Sequence, residues 1–157
     1  GVARTYPEEY AKSQLAVSYE LPTEGKVFIS VNDRDKRHIL SIARALQNLG
    51  FTVLSTEGTA RVLRGGNVKC EVINKVGGPH PNVVDAISSG EIKLLINTPS
   101  GSDARGDGYI LRTEAVKHGV TSVTALTGAN AFVAALEAVH DHAAEGSQME
   151  VIALQDL

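Results

Sequence analysis

Polar residues gather at the ends of four short apolar runs in this chain. Ser30, Asn32, Asp33 and Lys36 follow the first run, and Ser55-Thr56-Glu57-Gly58-Thr59 closes the second. Asn74-Lys75 and then Gly77-Gly78-Pro79-His80-Pro81 follow the third. Asn97-Thr98-Pro99-Ser100-Gly101-Ser102 follows the fourth. Glycine lets backbone N–H groups approach an anion, and a helix N-terminus favours negative charge. Thr59 and Ser100 would add hydroxyl donors, and Lys36 and Lys75 would add positive charge. The chemistry these residue types suit is an oxyanion or phosphate cradle. Each residue also has a plainer use. Asp33, Thr59 and Asn82 are good helix caps, a lysine on a first helical turn is usually a solvated charge, and turn glycines serve backbone geometry. Recurrence of the pattern at successive strand ends is what points to a ligand.

Other motifs carry less. Arg105-Gly106-Asp107 spells an adhesion tripeptide, read here as chance. His140 and His142 fall on different faces of a helix, a poor geometry for zinc, so no metal site is assigned. His38 and His118 read as surface or helix-end histidines, and Cys70 as a buried structural thiol. No Gly-x-Gly-x-x-Gly or P-loop pattern occurs, which removes the best evidence for a dinucleotide or for ATP hydrolysis. No nucleophile–base pair is evident either, so binding outranks catalysis and no cofactor is expected.

The elements that must position these clusters alternate. Val27–Val31 has strand composition. Asp33 then stands as an N-cap before a helix with Ile39, Ile42, Ala43, Leu46 and Leu49 at helical spacing, stopped by Gly50. Phe51–Leu54 reads as a second strand and Thr59–Leu63 as a short helix closed by Gly65-Gly66. Glu71–Ile73 is a weaker third strand. Asn82 caps a helix holding Val83, Val84 and Ile87, closed by Gly90. Lys93–Asn97 is a strong fourth strand. Ile110–His118 is helical, Thr121–Ala125 is a fifth strand, and Thr127 opens a long last helix with Phe132, Leu136 and Val139 on one face. Strand runs apolar on both faces, alternating with helices, predict a parallel sheet covered on both sides, with right-handed crossovers. In such a sheet, ligands bind beyond the carboxyl ends of the strands.

The 157 residues suit one domain. Boundaries are expected at an entry helix and linker over 1–24, with Pro7–Tyr19 helical, a main domain over 25–145, and a tail or strand over 146–157. With 43% hydrophobic but only 4% aromatic residues, the core must be aliphatic. A net charge of −3 gives no electrostatic case for nucleic acid or an anionic membrane. The single cysteine and the lack of a signal-like or membrane-length apolar run lead to an expected cytoplasmic location.

Several of these stretches resemble the methylglyoxal-synthase-like superfamily. They are Gly25–Lys36, Leu54–Ala60, Val72-Ile73-Asn74-Lys75-Val76 and Ile96-Asn97-Thr98-Pro99-Ser100-Gly101. Within the superfamily, the third and fourth stretches, with the entry segment Arg4–Lys12, are similar to the C-terminal allosteric domain of the carbamoyl-phosphate synthetase large subunit. The resemblance runs from Arg4 to about Val151. It implies a Rossmann-like three-layer α/β/α sandwich with a five-stranded parallel sheet, and a pocket for nucleotide effectors, UMP inhibiting and IMP activating. By position, Lys36, Thr56, Thr59, Lys75 and Asn97 match residues that hold the nucleotide, and Ser30 and Asp107 match weaker members of that set. Thr98 and Ser100, in the strand-four loop, join the candidate site. It implies as partners the rest of the large subunit and its glutaminase small subunit, with self-association a further expectation, and service to the pyrimidine and arginine pathways. Catalysis, an ATP-dependent and glutamine-hydrolysing ligation, would lie outside this domain.

Two departures stand out. Pro99 replaces the second of a threonine pair, removing a hydroxyl and an N–H donor. Ser122 stands where a tyrosine holds ornithine in a bacterial relative, although Thr124 is kept, so ornithine activation is not expected. Rival readings are a phosphate-eliminating methylglyoxal synthase, with Asp33 as its acid–base group, the cyclohydrolase of purine synthesis, and a structural domain with a vestigial pocket. The lyase branch carries an aspartate after the glycine pair where Pro79-His80 follow here, leaving it no evident base. The cyclohydrolase signature is absent apart from a faint echo at His80-Pro81.

Overall fold

The structure is a computed structural model that describes residues 21–99 and 106–146. It contains a five-stranded, all-parallel sheet in the order β3-β2-β1-β4-β5. In chain order the elements are β1 (Lys26–Ser30), α1 (Ile39–Asn48), β2 (Thr52–Ser55), α2 (Glu57–Gly65), β3 (Glu71–Val72), α3 (Val83–Ser88), β4 (Ile92–Asn97), α4 (Asp107–Lys117), β5 (Thr121–Val123) and α5 (Leu126–Ala144). The expected α/β sandwich is what forms. The entry helix, Ser100 and the tail from 147 on lie outside the described residues.

The alternation of side chains along the strands divides the core in two. Val27 and Ile29 of β1, with Leu94 and Ile96 of β4, pack under Ile39, Ile42 and Leu46 of α1, Leu63 of α2 and Phe132 of α5. Phe28 and Leu95 point the other way, against Val83 and Ile87 of α3 and Leu111 and Ala115 of α4. All of these side chains are buried. Ile92 and Leu94 lie two apart yet belong to opposite faces. The cause is a register shift between Lys26 and Val27, which pair with Ile92 and Leu94. Lys93 is the extra residue, and such a bulge reverses the facing of what precedes it. Gly25, at φ +113°, sits against the Lys93 side chain, where a Cβ would lie 2.5 Å from its Cγ.

Several boundaries differ from the sequence reading. The helix after β1 starts at Ile39, because residues 33–38 form turns instead of a first helical turn. Asp33 is therefore not a cap. Asn32 organises that segment, its Oδ1 accepting from the Asp35 N–H at 3.0 Å and its Nδ2 donating to Asp35 Oδ2 at 2.8 Å. Helix α2 starts at Glu57 with Thr56 as N-cap, which puts Thr59 inside the first turn. Helix α4 begins at Asp107, three residues before the expected Ile110, and α5 at Leu126, capped by Ala125. Strands β3 and β5 are shorter than read, at two and three residues, as befits the edges of a sheet.

Asn82 does cap its helix, by a capping box. Its Oδ1 accepts from the N–H groups of Val84 and Asp85, and Asp85 Oδ2 accepts from the Asn82 N–H at 2.7 Å. Cys70 is buried as read, and burial pushes its thiol up to about 11. Among the described residues no helix is long and apolar enough to cross a membrane.

Leu95→Ala should destabilise the domain by about 2–5 kcal/mol, since Leu95 is fully buried between β1 and the α3–α4 layer. Val116→Ala, on the open face of α4, should change stability by less than about 0.5 kcal/mol. Urea denaturation of both variants measures the contrast, and equal losses would contradict this placement of the core.

Candidate functional site

Strand order reverses between β1 and β4: the chain winds outward from β1 to β3, then returns to β4 on the far side of β1. Loops leaving two such strands diverge and open a crevice at their carboxyl ends. Two adjoining clefts lie at this end of the sheet. The larger, about 490 Å³, is lined by Ser30, by Thr56, Glu57 and Gly58 of the β2–α2 turn, and by Asn74, Lys75 and Asp107. Phe28, Val72, Ile73, Val76, Val83 and Leu111 give it an apolar wall. The smaller, about 350 Å³, is lined by Ser30, Val31, Asn97, Thr98 and Pro99 from the two central strands and by Gly106, Asp107, Gly108, Leu111 and Arg112 from α4. Ser30, Asp107 and Leu111 border both.

A tight network joins the strand ends. The Ser30 carbonyl accepts from Asn97 Nδ2 at 3.1 Å and from the Thr98 N–H at 3.1 Å. Thr98 Oγ1 accepts from the Asn32 N–H at 3.0 Å, and Asn32 Nδ2 donates to the Pro99 carbonyl at 3.1 Å. Ser55 Oγ donates to the Ile29 carbonyl. Asn97, Thr98 and Ser55 are all buried, so this polar layer is satisfied internally. Thr98 thus ties β4 to the loop after β1.

The two lysines differ. Lys36 is not part of either lining. Its Nζ pairs with Asp33 Oδ1 at 2.6 Å and stands 3.8 Å from where a Cβ on Gly58 would lie, over the first turn of α2. The ammonium holds the Asp33 carboxyl below the usual carboxylate range. A cation beside a helix N-terminus opposes the helix dipole. Thr56 makes no capping bond to the first-turn N–H groups of α2, and among the described residues no other side chain accepts from them. Lys75 lines the larger cleft, is exposed, and makes no ion pair among the described residues. Its loop is held by two asparagines. Asn74 Nδ2 donates to the carbonyls of Pro79 and Pro81, and Asn82 Nδ2 donates to that of Gly78. Gly77 turns the loop at φ +73°, and the His80–Pro81 peptide is cis.

Of the candidate residues, Ser30, Thr56, Lys75, Asn97, Thr98 and Asp107 come together around the clefts. Thr59 is buried in α2 and borders neither. Ser100 lies outside the described residues. Ser122 Oγ is buried on β5 without a hydrogen-bond partner among the described residues. Sequence reasoning missed Arg112, whose Nη1 donates to Asn97 Oδ1 at 3.4 Å. An arginine one and a half turns after Asp107, near the start of a helix that begins at a strand's carboxyl end, was the available signal. Among the described residues no group of three His, Cys, Asp or Glu side chains could hold a metal ion.

At the start of α3, His80 Nδ1 meets Asp85 Oδ2 at 2.7 Å. The Asn82 N–H, and then His80, hold the Asp85 carboxyl below the usual range. A lowered pKa in the folded state contributes stability above about pH 4, and that contribution is lost as pH falls through the lowered value. Asp85→Asn should therefore be less stable than the parent at pH 7, with the gap closing towards pH 3. Urea denaturation at the two pH values tests this; an equal gap at both would rule out a role for the charge.

The MGS-like domain model matches residues 38–124 of this chain. Among curated relatives, the C-terminal section of the carbamoyl phosphate synthase large chain of Methanopyrus kandleri is 51% identical over 142 residues, which are 90% of this chain and 26% of that protein. The carbamoyl phosphate synthase large chain of Pasteurella multocida is 43% identical over 158 residues, 100% of this chain and 14% of that protein. The chain thus spans about a quarter or less of the length of these relatives. Methylglyoxal synthase from Elizabethkingia anophelis has a similar fold, with a TM-score of 0.58 at 12% identity over 72% of this chain and 79% of that one. The chain belongs to the MGS-like domain family, in the form carried by the C-terminal section of carbamoyl phosphate synthase large chains.

Proposed function

We propose that this domain binds a nucleoside monophosphate effector at the carboxyl ends of β1, β2 and β4 and so regulates a carbamoyl phosphate synthase large chain. UMP as inhibitor and IMP as activator are the ligands in view. One observation carries the reading: the Lys36 ammonium stands near the first turn of α2, where Thr56 makes no capping bond, and that same turn borders the cleft that Lys75 lines. Helix dipole and lysine disfavour each other until an anion lies between them, and a phosphate satisfies both. Asp33 holds the ammonium in place meanwhile. The apolar wall suits a base or ribose face, and the Asp107 carboxylate suits hydroxyl or N–H donors.

Regulation would be a coupling free energy between this cleft and synthase sites elsewhere in the large subunit, typically about 1–3 kcal/mol. Helix α4 is the natural carrier. Its first turns border both clefts, while Tyr109, Ile110 and Val116 expose apolar surface on its outer side. Carbamoyl phosphate synthesis, the glutaminase partner and the biosynthetic pathways served belong to the same proposal, as does a cytoplasmic setting. A lyase role has less support. Asp33 is almost wholly exposed, paired with Lys36 and outside both linings.

Calorimetric titration with UMP and IMP, against inorganic phosphate, tests the reading. Saturable one-to-one binding well above phosphate is expected. Lys36→Ala and Lys75→Ala should each weaken it by roughly tenfold to a hundredfold, the worth of a charged hydrogen bond, without lowering the melting temperature. Normal binding by both variants would remove the phosphate from this cleft. Methylglyoxal formed from dihydroxyacetone phosphate, and lost in Asp33→Asn, would favour the lyase.

A further inference from the structure

An apolar groove of about 170 Å³ lies at the other end of the sheet from the two clefts. Pro22 and Thr23, which precede β1, and Phe51, which precedes β2, place it at the amino ends of the strands. Phe51 and Leu136 are buried at its base, and Leu49, Val139 and Pro22 flank it half-buried. Only Thr23 and His140 bring polar groups to the lining. Such a surface offers nothing to an anion and suits aliphatic side chains.

One side of the groove is a stripe on α5. Leu136, Val139, His140 and Ala143 recur at helical spacing and all line it. The stripe runs up to Gly146, which takes φ +70° and donates its N–H to the Ala143 carbonyl at 3.3 Å. A left-handed residue at this position ends a helix and turns the chain off its axis. Residues 147–157 follow, beginning Ser147-Gln148-Met149-Glu150-Val151.

We propose that Gln148–Val151 docks in this groove as an extended segment running back along α5, with Met149 and Val151 inserted. The lengths match. Val139 lies seven residues before Gly146, about 10 Å at the helical rise, and three extended residues cover the same distance. Met149 thus comes level with Val139, and Val151 level with Leu136. Met149 and Val151 lie two apart, so they share one side of an extended segment, and Gln148 and Glu150 share the side left to water. Residues 1–20 are the rival occupant, with Val17 and Tyr19 two apart in the same way. They join the described chain at Leu21, beside Pro22 and Thr23, and so meet the groove at its edge, whereas the stripe on α5 leads directly to the residues after Gly146. The inference is independent of the nucleotide reading.

Disulfide trapping in the 157-residue chain tests it. Cysteines at Val139 and Met149 should close within one chain at least about tenfold faster than cysteines at Glu137 and Met149, because docking raises the effective concentration of one thiol at the other. Glu137 is exposed and lies outside the groove lining, at a similar distance along the chain. In urea the two pairs should close at similar rates. Adding Val151→Asp should bring the first pair to within about twofold of the second. Cys70 is buried, and variants with one added cysteine show that it takes no part. Equal rates for the two pairs in the folded chain would overturn the inference. Faster closure between Tyr19→Cys and Val139→Cys would give the groove to residues 1–20, and cross-linked dimers would give it to a second copy; either result also overturns it.

Discussion

The parallel pairing of β1 with β4 is the contact on which the rest of the structure depends. These strands are neighbours in space but far apart in sequence, with three helices and two strands in between before the chain returns. Their union creates the reversal of strand order, and the reversal opens the clefts. The same pairing closes the polar layer above the core, where the Ser30 carbonyl takes two hydrogen bonds from Asn97 and Thr98. It also sets which β4 side chains face which helix layer, through the bulge at Lys93.

Electrostatically the site is divided. Lys75 and Arg112 are the positive lining side chains, with Lys36 near the first turn of α2, and Glu57 and Asp107 are the negative ones, Asp107 bordering both clefts. A carboxylate would repel a phosphate placed beside it, so a ligand that suits the whole site has an anionic end and a hydrogen-donating end. The proposed nucleoside monophosphate has such ends, and a free phosphate does not. Among the described residues, the strand-end network below it ties Ser30, Asn32, Asn97 and Thr98 together by hydrogen bonds.

Much of the architecture was legible because it follows from local pattern. The apolar runs at Val27–Val31 and Lys93–Asn97, and the helical spacing of Ile39, Ile42 and Leu46, each have one satisfactory structure. Misreadings came where two local signals compete. Asp33 has the chemistry of an N-cap, yet Asn32 takes the turn by bonding both the N–H and the carboxylate of Asp35. Thr56 and Thr59 are both acceptable caps, and the tertiary position of Ser55, bonded to β1, determines which one starts the helix.

By itself the sequence determined the layer architecture and the polar character of the strand ends, because periodicity and turn chemistry are local and survive without knowledge of contacts; the family came from the resemblance of whole motifs. Only the tertiary structure decided how the polar residues divide. It buried Thr59, turned Thr98 into a tie between loops, and set Lys36 over Gly58. It brought Arg112 to Asn97, fifteen positions away on another element. The physical reason is that a side chain's role depends on which groups from distant segments take up its hydrogen bonds, and that is settled only when the sheet closes.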